Sequence, residues 1–116
     1  MYGVPPDLPL QGFVGKECCQ IALGMCEIQF NFGDGHNLSV EGPWELRNAS
    51  GERIDCSRVH SDRDAYCVHK LLGSPVERFL IDAPKSFTLI FQNGHALTVY
   101  DENIPYESFS IQPGDI

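Results

Sequence analysis

Nowhere in the 116 residues do apolar side chains persist long enough to cross a bilayer. The opening Met1-Tyr2-Gly3-Val4-Pro5-Pro6-Asp7 has no basic stretch and no apolar run behind it, so no secretory leader is expected there. A soluble, cytoplasmic protein is the expectation. Cations are scarce: 8 Lys and Arg stand against 16 Asp and Glu, a formal charge of −8. A chain this acidic repels nucleic acid and anionic lipid and meets basic partners faster, although such a charge also simply keeps a small domain soluble. No Cys-x-x-Cys pair occurs. The five cysteines are odd in number, with Cys18 and Cys19 adjacent, and suit no ordinary disulfide framework. Reduced thiols, several packed as small hydrophobes, are expected. Phosphate-loop, nucleophile-elbow and zinc-protease signatures are missing as well. These absences point away from an enzyme and imply no cofactor.

What is present is a repeat. Residues 32 to 40 read Phe-Gly-Asp-Gly-His-Asn-Leu-Ser-Val, and residues 91 to 99 read Phe-Gln-Asn-Gly-His-Ala-Leu-Thr-Val. The match runs upstream from Ile28-Gln29-Phe30-Asn31-Phe32 to Phe87-Thr88-Leu89-Ile90-Phe91. With one residue of slippage it reaches Gly15, Cys18 and Ile21-Ala22-Leu23 against Gly73, Val76 and Phe79-Leu80-Ile81. A shift of that kind belongs in a turn, around Gly24-Met25 and Asp82-Ala83-Pro84-Lys85.

Each copy carries a β pattern. Ile28, Phe30 and Phe32 alternate with Gln29 and Asn31, which makes one strand face apolar. Asp34-Gly35 and Asn93-Gly94 accept positive φ in a two-residue hairpin turn, after which Leu38 and Val40, or Leu97 and Val99, return on the apolar face. A fourth short strand is expected at Trp44-Glu45-Leu46-Arg47 and at Glu107-Ser108-Phe109-Ser110-Ile111. Asn48-Ala49-Ser50-Gly51-Glu52 is turn-like. Residues 62–72 suit a short helix with Ser61 or Asp62 as N-cap, a buried stripe of Ala65, Val68, Leu71 and Leu72, and Gly73 as stop. The expected fold is one α+β domain, mainly antiparallel β. Duplicated three- to four-stranded hairpin units would form a curved sheet or a small sandwich or barrel, with the helix between the copies. Within residues 1–116, 1–9 are an extended arm, 10–47 the first repeat and 48–72 a linker with the helix. Residues 73–111 are the second repeat and 112–116 a tail.

The stretch Leu97-Thr98-Val99-Tyr100-Asp101-Glu102 followed by Tyr106-Glu107-Ser108-Phe109-Ser110-Ile111 resembles a family of small bacterial domains. These carry a Gly-His-x-Leu strand, an acidic pair and a closing Tyr-Glu-Ser-Phe motif. Gly15 to Phe32, and Glu41-Gly42-Pro43-Trp44-Glu45-Leu46-Arg47 leading to Gly51-Glu52-Arg53-Ile54-Asp55, fit the same pattern. Ile104-Pro105 departs from it, being less polar. The family has no assigned chemistry. Small acidic look-alikes sit beside secreted toxins as immunity proteins, so the resemblance implies a bacterial toxin inhibitor.

Three constellations compete. Glu41, Glu45, Asp101, Glu102 and Tyr106 are the tentative partner-binding set, with the acids steering a basic protein such as a nuclease toxin. Trp44 and Phe109 are read as closing the core. His36 and His95 follow the two hairpin turns, and facing imidazoles could hold a metal or small molecule with an enzymatic role; inherited strand-start residues are the plainer reading. Cys56 with His60, and Cys67 with His69, lack the spacing of a zinc site, and only Arg58 and Arg63 would activate a thiol. Asp62 and Asp64 have a sufficient structural role at a helix start. The leading expectation is therefore a non-catalytic module that binds a basic protein, with no nucleic-acid or membrane partner and no resident metal. Oligomeric state is left open.

Overall fold

A computed structural model describes residues 4–24, 27–57, 66–101 and 109–112. The described chain is mainly antiparallel β, arranged in two sheets that do not close into a barrel. Strands β1 (Cys18–Leu23), β2 (Ile28–Phe32), β3 (Asn37–Val40) and β9 (Phe109–Gln112) form the first sheet in that order. The second sheet runs β5 (Arg53–Cys56), β4 (Trp44–Arg47), β8 (Ala96–Tyr100), β7 (Ser86–Phe91) and β6 (Val76–Asp82). Three consecutive strands thus meander in each sheet, and the fourth comes from the other half of the chain. β4 leaves the first meander to pair with β8, and β9 leaves the second to pair with β3.

Alternation decides which face is buried. In β2 the pattern Ile28, Phe30, Phe32 is buried while Gln29 and Asn31 are half-buried. Cross-strand register carries the choice through each sheet: Ile21, Phe30, Leu38 and Ile111 form one inward row, and Phe79, Leu89, Leu97 and Leu46 form its counterpart. The inward faces share one core. Phe32 and Phe91 stack across it with centroids 6.3 Å apart, and Phe87 meets Phe109 edge-on at 5.0 Å. Each such ring buried from water contributes on the order of 1.5–3 kcal/mol. Trp44 and Phe109 occupy matching places, opposite Val99 and Val40, and both are buried.

The hairpin turns differ in detail. Asp34 and Gly35 both have positive φ (61° and 77°), the mirror-image turn that matches strand twist. In the second meander only Gly94 does (φ 92°). Asn93 stays out of the left-handed region because its groups are committed elsewhere. Its side chain donates to Lys70 O at 2.9 Å, its N–H to Ser74 Oγ at 3.2 Å, and its Oδ1 accepts from His95 N–H at 3.0 Å. Both hairpins close over three residues, with Phe32 N–H donating to His36 O and Phe91 N–H to His95 O, so the expected two-residue connections are corrected in both copies, and the second uses a glycine-closed turn from Phe91 to Gly94.

The expected helix over residues 62–72 is corrected as far as it is described; residues 62–65 lie outside the described residues. From Tyr66 onward there is a single 3-10 turn, Val68–Leu71, and Leu72 is already extended (φ −62°, ψ 130°). Tertiary ties outweigh the helical spacing: Asp55 Oδ2 accepts the N–H of Cys67 at 2.7 Å, and Gly73 N–H reaches across to Cys18 O at 2.8 Å. The first half has the same device, a 3-10 turn at Gln11–Phe13 followed by extended Val14 and by Gly15, whose N–H donates to Val76 O at 2.8 Å. Val14 bridges to Val76 and Cys18 to Leu72, so the contacts exchange reciprocally.

The arm is no free extension. Val4 and Leu8 are buried, and Val4 N–H donates to Pro84 O at 2.9 Å. The strand β5 was not foreseen; the turn before it was. Asn48 Oδ1 accepts the N–H groups of Ser50 and Glu52, and Gly51 takes φ 85°. Among the described residues no helix is long and apolar enough to span a membrane.

Candidate functional site

Glu27 precedes β2 and Glu41 follows β3. Because Ile28 pairs with Val40, these two glutamates flank the same end of one hairpin. With Ser39, Ser110 and Phe109 they line a shallow depression on the first sheet. Glu41 is exposed; Glu27 is half-buried and accepts a hydrogen bond from the Gln29 amide at 3.0 Å. The depression thus presents two carboxylates beside hydroxyls, a surface suited to cationic groups. Glu27 is not singled out by the sequence: counting outward from a two-residue Asp34-Gly35 turn sets it opposite residue 42, and only the observed register, centred on Asp34, brings it opposite Glu41.

The other expected contact residues fall in different places. Glu45 lies on the outward face of the second sheet, half-buried, where Tyr100 donates its hydroxyl to the carboxylate and Arg47 lies 3.2 Å away. That hydrogen bond to Glu45, with some desolvation, holds the Tyr100 phenol above its usual range. Asp101, at the end of β8, is only 6% exposed, and its N–H donates to Lys85 O at 2.9 Å. Glu102 and Tyr106 lie outside the described residues, in the segment that runs into Phe109. Glu41 and Glu45 are therefore not brought onto one face, and Asp101 is withdrawn from the surface.

His36 is engaged within its own half. Its ring meets Phe13 edge-on at 5.0 Å, its Nδ1 lies 3.3 Å from Gly33 O, and its Nε2 sits over Gly12, where an added Cβ would come within 2.7 Å. Both ring nitrogens of His95 are shut off from solvent and have no hydrogen-bond partner among the described residues. Among the described residues no three His, Cys, Asp or Glu side chains converge as metal ligands would. His60 and Cys26 lie outside the described residues. Cys18 is fully buried, and desolvation pushes its thiol up to about 12 despite a contact to Gln20 O. Its neighbour Cys19, at the β-bulge between Cys18 and Gln20, is exposed. Asp55, the buried carboxylate opposite Leu46, accepts backbone N–H groups from Cys56 and Cys67, which is how its burial is tolerated.

Comparison with protein-family models, with curated proteins and with solved structures returns no match.

Proposed function

We propose that this protein is a non-catalytic protein-binding module, an inhibitor or immunity protein that neutralises a basic partner such as a nuclease toxin in the bacterial cytoplasm. The observation that carries the reading is the depression where Glu27 and Glu41 stand together on a chain of net charge −8. Docked cations from a basic surface would pair with both carboxylates, with the Ser39 and Ser110 hydroxyls beside them. A complex of ordinary size buries about 1,600 Å² in total, and acidic steering raises its association rate most at low salt.

The two meanders are also read as copies of one duplicated hairpin unit. Supporting this are the matched strand orders, the β-bulges between Cys18 and Gln20 and between Val76 and Arg78, and the reciprocal bridges. Each unit lends its fourth strand to the other, which explains why neither would be stable alone.

Bicistronic co-expression with each adjoining reading frame tests the function. The expected result is a stable complex that restores growth, with Glu27→Lys plus Glu41→Lys slowing association by about 10- to 100-fold. A chain that binds none of those products, or a charge reversal that leaves association and its salt dependence unchanged, would sink the reading.

A further inference from the structure

Strand β6 ends the second sheet, with β7 as its strand neighbour. Phe91 N–H donates to His95 O and Gln92 N–H to Pro75 O, so along β7 the backbone groups of Thr88 and Ile90 point at β6. Leu80 and Arg78 stand opposite those two and turn their own N–H and C=O groups toward β7. The backbone groups of Phe79 and Ile81 therefore point away from the sheet. Val76 points the same way, but Lys16 O and Gly15 N–H already engage it. Phe79 and Ile81 have no such partner among the described residues. Edge strands are ordinarily blunted by proline, lysine or an inward-pointing charge. Residues 78 to 82 contain none of these. Arg78, Leu80 and Asp82 share the outer face, all exposed, with Leu80 54% exposed. Arg78 and Asp82 are of opposite sign and about 13 Å apart along the strand. Neither forms a salt bridge among the described residues.

We infer that β6 pairs antiparallel with β6 of a second copy of this chain, about a two-fold axis through Leu80. Outward-pointing residues must meet outward-pointing residues, which allows the axis to pass through Phe79, Leu80 or Ile81. An axis at Phe79 sets Arg78 against Leu80 and Asp82 against Val76. An axis at Ile81 sets Leu80 against Asp82. The axis at Leu80 alone places Arg78 of each copy opposite Asp82 of the other, on both sides of a Leu80 pair whose Cα atoms lie about 4.5 Å apart. Phe79 then meets Ile81 of the other copy, and every outward N–H and C=O of these two residues finds a partner. An isologous contact requires a self-complementary patch, and opposite charges placed symmetrically about an exposed leucine are one. The edge of the first sheet lacks this feature. On β1 the outward backbone groups belong to Ile21 and Leu23, but its outer face offers Gln20 and Ala22, with no charge to fix a register. The net charge of each copy does not prevent pairing, since charges beyond about 8–10 Å are screened at physiological salt. This edge belongs to the other sheet from Glu27 and Glu41 and does not depend on the function proposed for them.

Sedimentation of the full chain from about 10 µM to about 1 mM, at about 150 mM salt, should show a monomer–dimer equilibrium with Kd on the order of 100 µM, as suits a contact confined to an edge. Leu80→Lys sets two ammonium groups on the axis and should weaken the dimer by at least about tenfold. Arg78→Asp and Asp82→Arg, made singly, should each weaken it by about tenfold, because like charges then face across the axis. Combining them restores opposite signs and should return Kd to within about threefold of the wild type, an outcome that a merely misfolded single variant could not give. Amide exchange supplies a second readout. Phe79 and Ile81 should become protected as concentration rises, whereas Arg78 and Leu80 are protected throughout. A chain still monomeric at about 1 mM, a dimer indifferent to Leu80→Lys, or a double variant no tighter than the single ones would overturn the inference. So would protection that grows on Ile21 and Leu23 instead. Growth rescue by Glu27 and Glu41 variants is read separately, so either surface can fail without the other.

Discussion

The two sheets of this protein are alike on their inner faces and unlike on their outer ones. Inward, Phe30 and Leu89 sit at matching points of β2 and β7, each without exposed surface. Outward, Gln20 answers to Arg78, Ala22 to Leu80, Asn31 to Ile90 and Gln112 to Arg47 through the same strand registers. A buried face has few acceptable solutions, because close packing penalises both voids and excess volume. An outer face is constrained only by water and by whatever binds it. The change of side-chain class, from amides to charged and aliphatic groups, is confined to the outer faces. The amides of the first sheet bond one another, and its acids, Glu27 and Glu41, stand at one end. The second sheet instead carries charged and aliphatic side chains outward, Arg47, Arg53 and Arg78 against Glu45, Glu77 and Asp82.

The comparison can be broken most sharply in the core. Phe30→Ala should destabilise by about 3–5 kcal/mol and Leu89→Ala by about 2–5 kcal/mol in denaturant unfolding, both in a single transition. Loss of only one sheet, or a change under about 1 kcal/mol at either site, would show that the inner faces do not share one interior.

A second, smaller effect concerns Cys18, whose counterpart is Val76. Burial raises the thiol from about 9 to about 12. The folded state thus holds the proton more tightly than the unfolded chain does. Its contribution is complete below pH 9 and is lost as pH rises through 12. Cys18→Val should fold, keep the stability seen at neutral pH to within about 1 kcal/mol, and flatten the alkaline decline between those limits. A thiol reagent at pH 8 should meanwhile label Cys19 well before Cys18 in the wild-type chain. Equal labelling would refute the burial.

The smallest expected effect separates two equivalent junctions between a first strand and a hairpin turn. In one, Lys16 forms an ion pair with Asp34; in the other, Ser74 Oγ accepts the N–H of Asn93. The hydrogen bond and charge of Lys16 hold the Asp34 carboxyl below the usual range. That contribution is present at neutral pH and is lost as acid titrates the carboxylate. Lys16→Ala should return the Asp34 resonance to an ordinary titration, and salt should do part of the same. Ser74→Ala should cost about 1 kcal/mol regardless of salt. A salt-dependent loss in the serine variant would merge the two cases.

Much of the β layout was readable in advance because its causes are local. Alternation in Ile28-Gln29-Phe30-Asn31-Phe32 needs only the pleat, and Asp34-Gly35 needs only the freedom to take positive φ. Trp44 and Phe109 were rightly assigned to the interior. The helix over residues 62–72 misled because a three-residue spacing of apolar positions suits a 3-10 turn tied at both ends as well as it suits an α-helix. Strand β5 was missed because Arg53-Ile54-Asp55-Cys56 has only one ordinary apolar residue, and its Asp55 is buried through backbone donors that sequence does not display. Of the proposed contact acids, Glu41 stands where a partner could reach it, while Asp101 turns inward and Glu45 joins Tyr100. Their difference lies in neighbours supplied by distant strands.

The order of residues by itself determined the strands of each meander, their inward faces, the turn between β2 and β3 and the excess of negative charge, all of which follow from contacts within a few positions. Only the tertiary structure decided that β4 and β9 change sheets. That exchange aligns Arg47 and Arg53 with Arg78, residues separated by up to 31 positions along the chain. Such alignment depends on pairing between remote strands, whose entropy is repaid only when the shared core forms, so no local pattern could announce it.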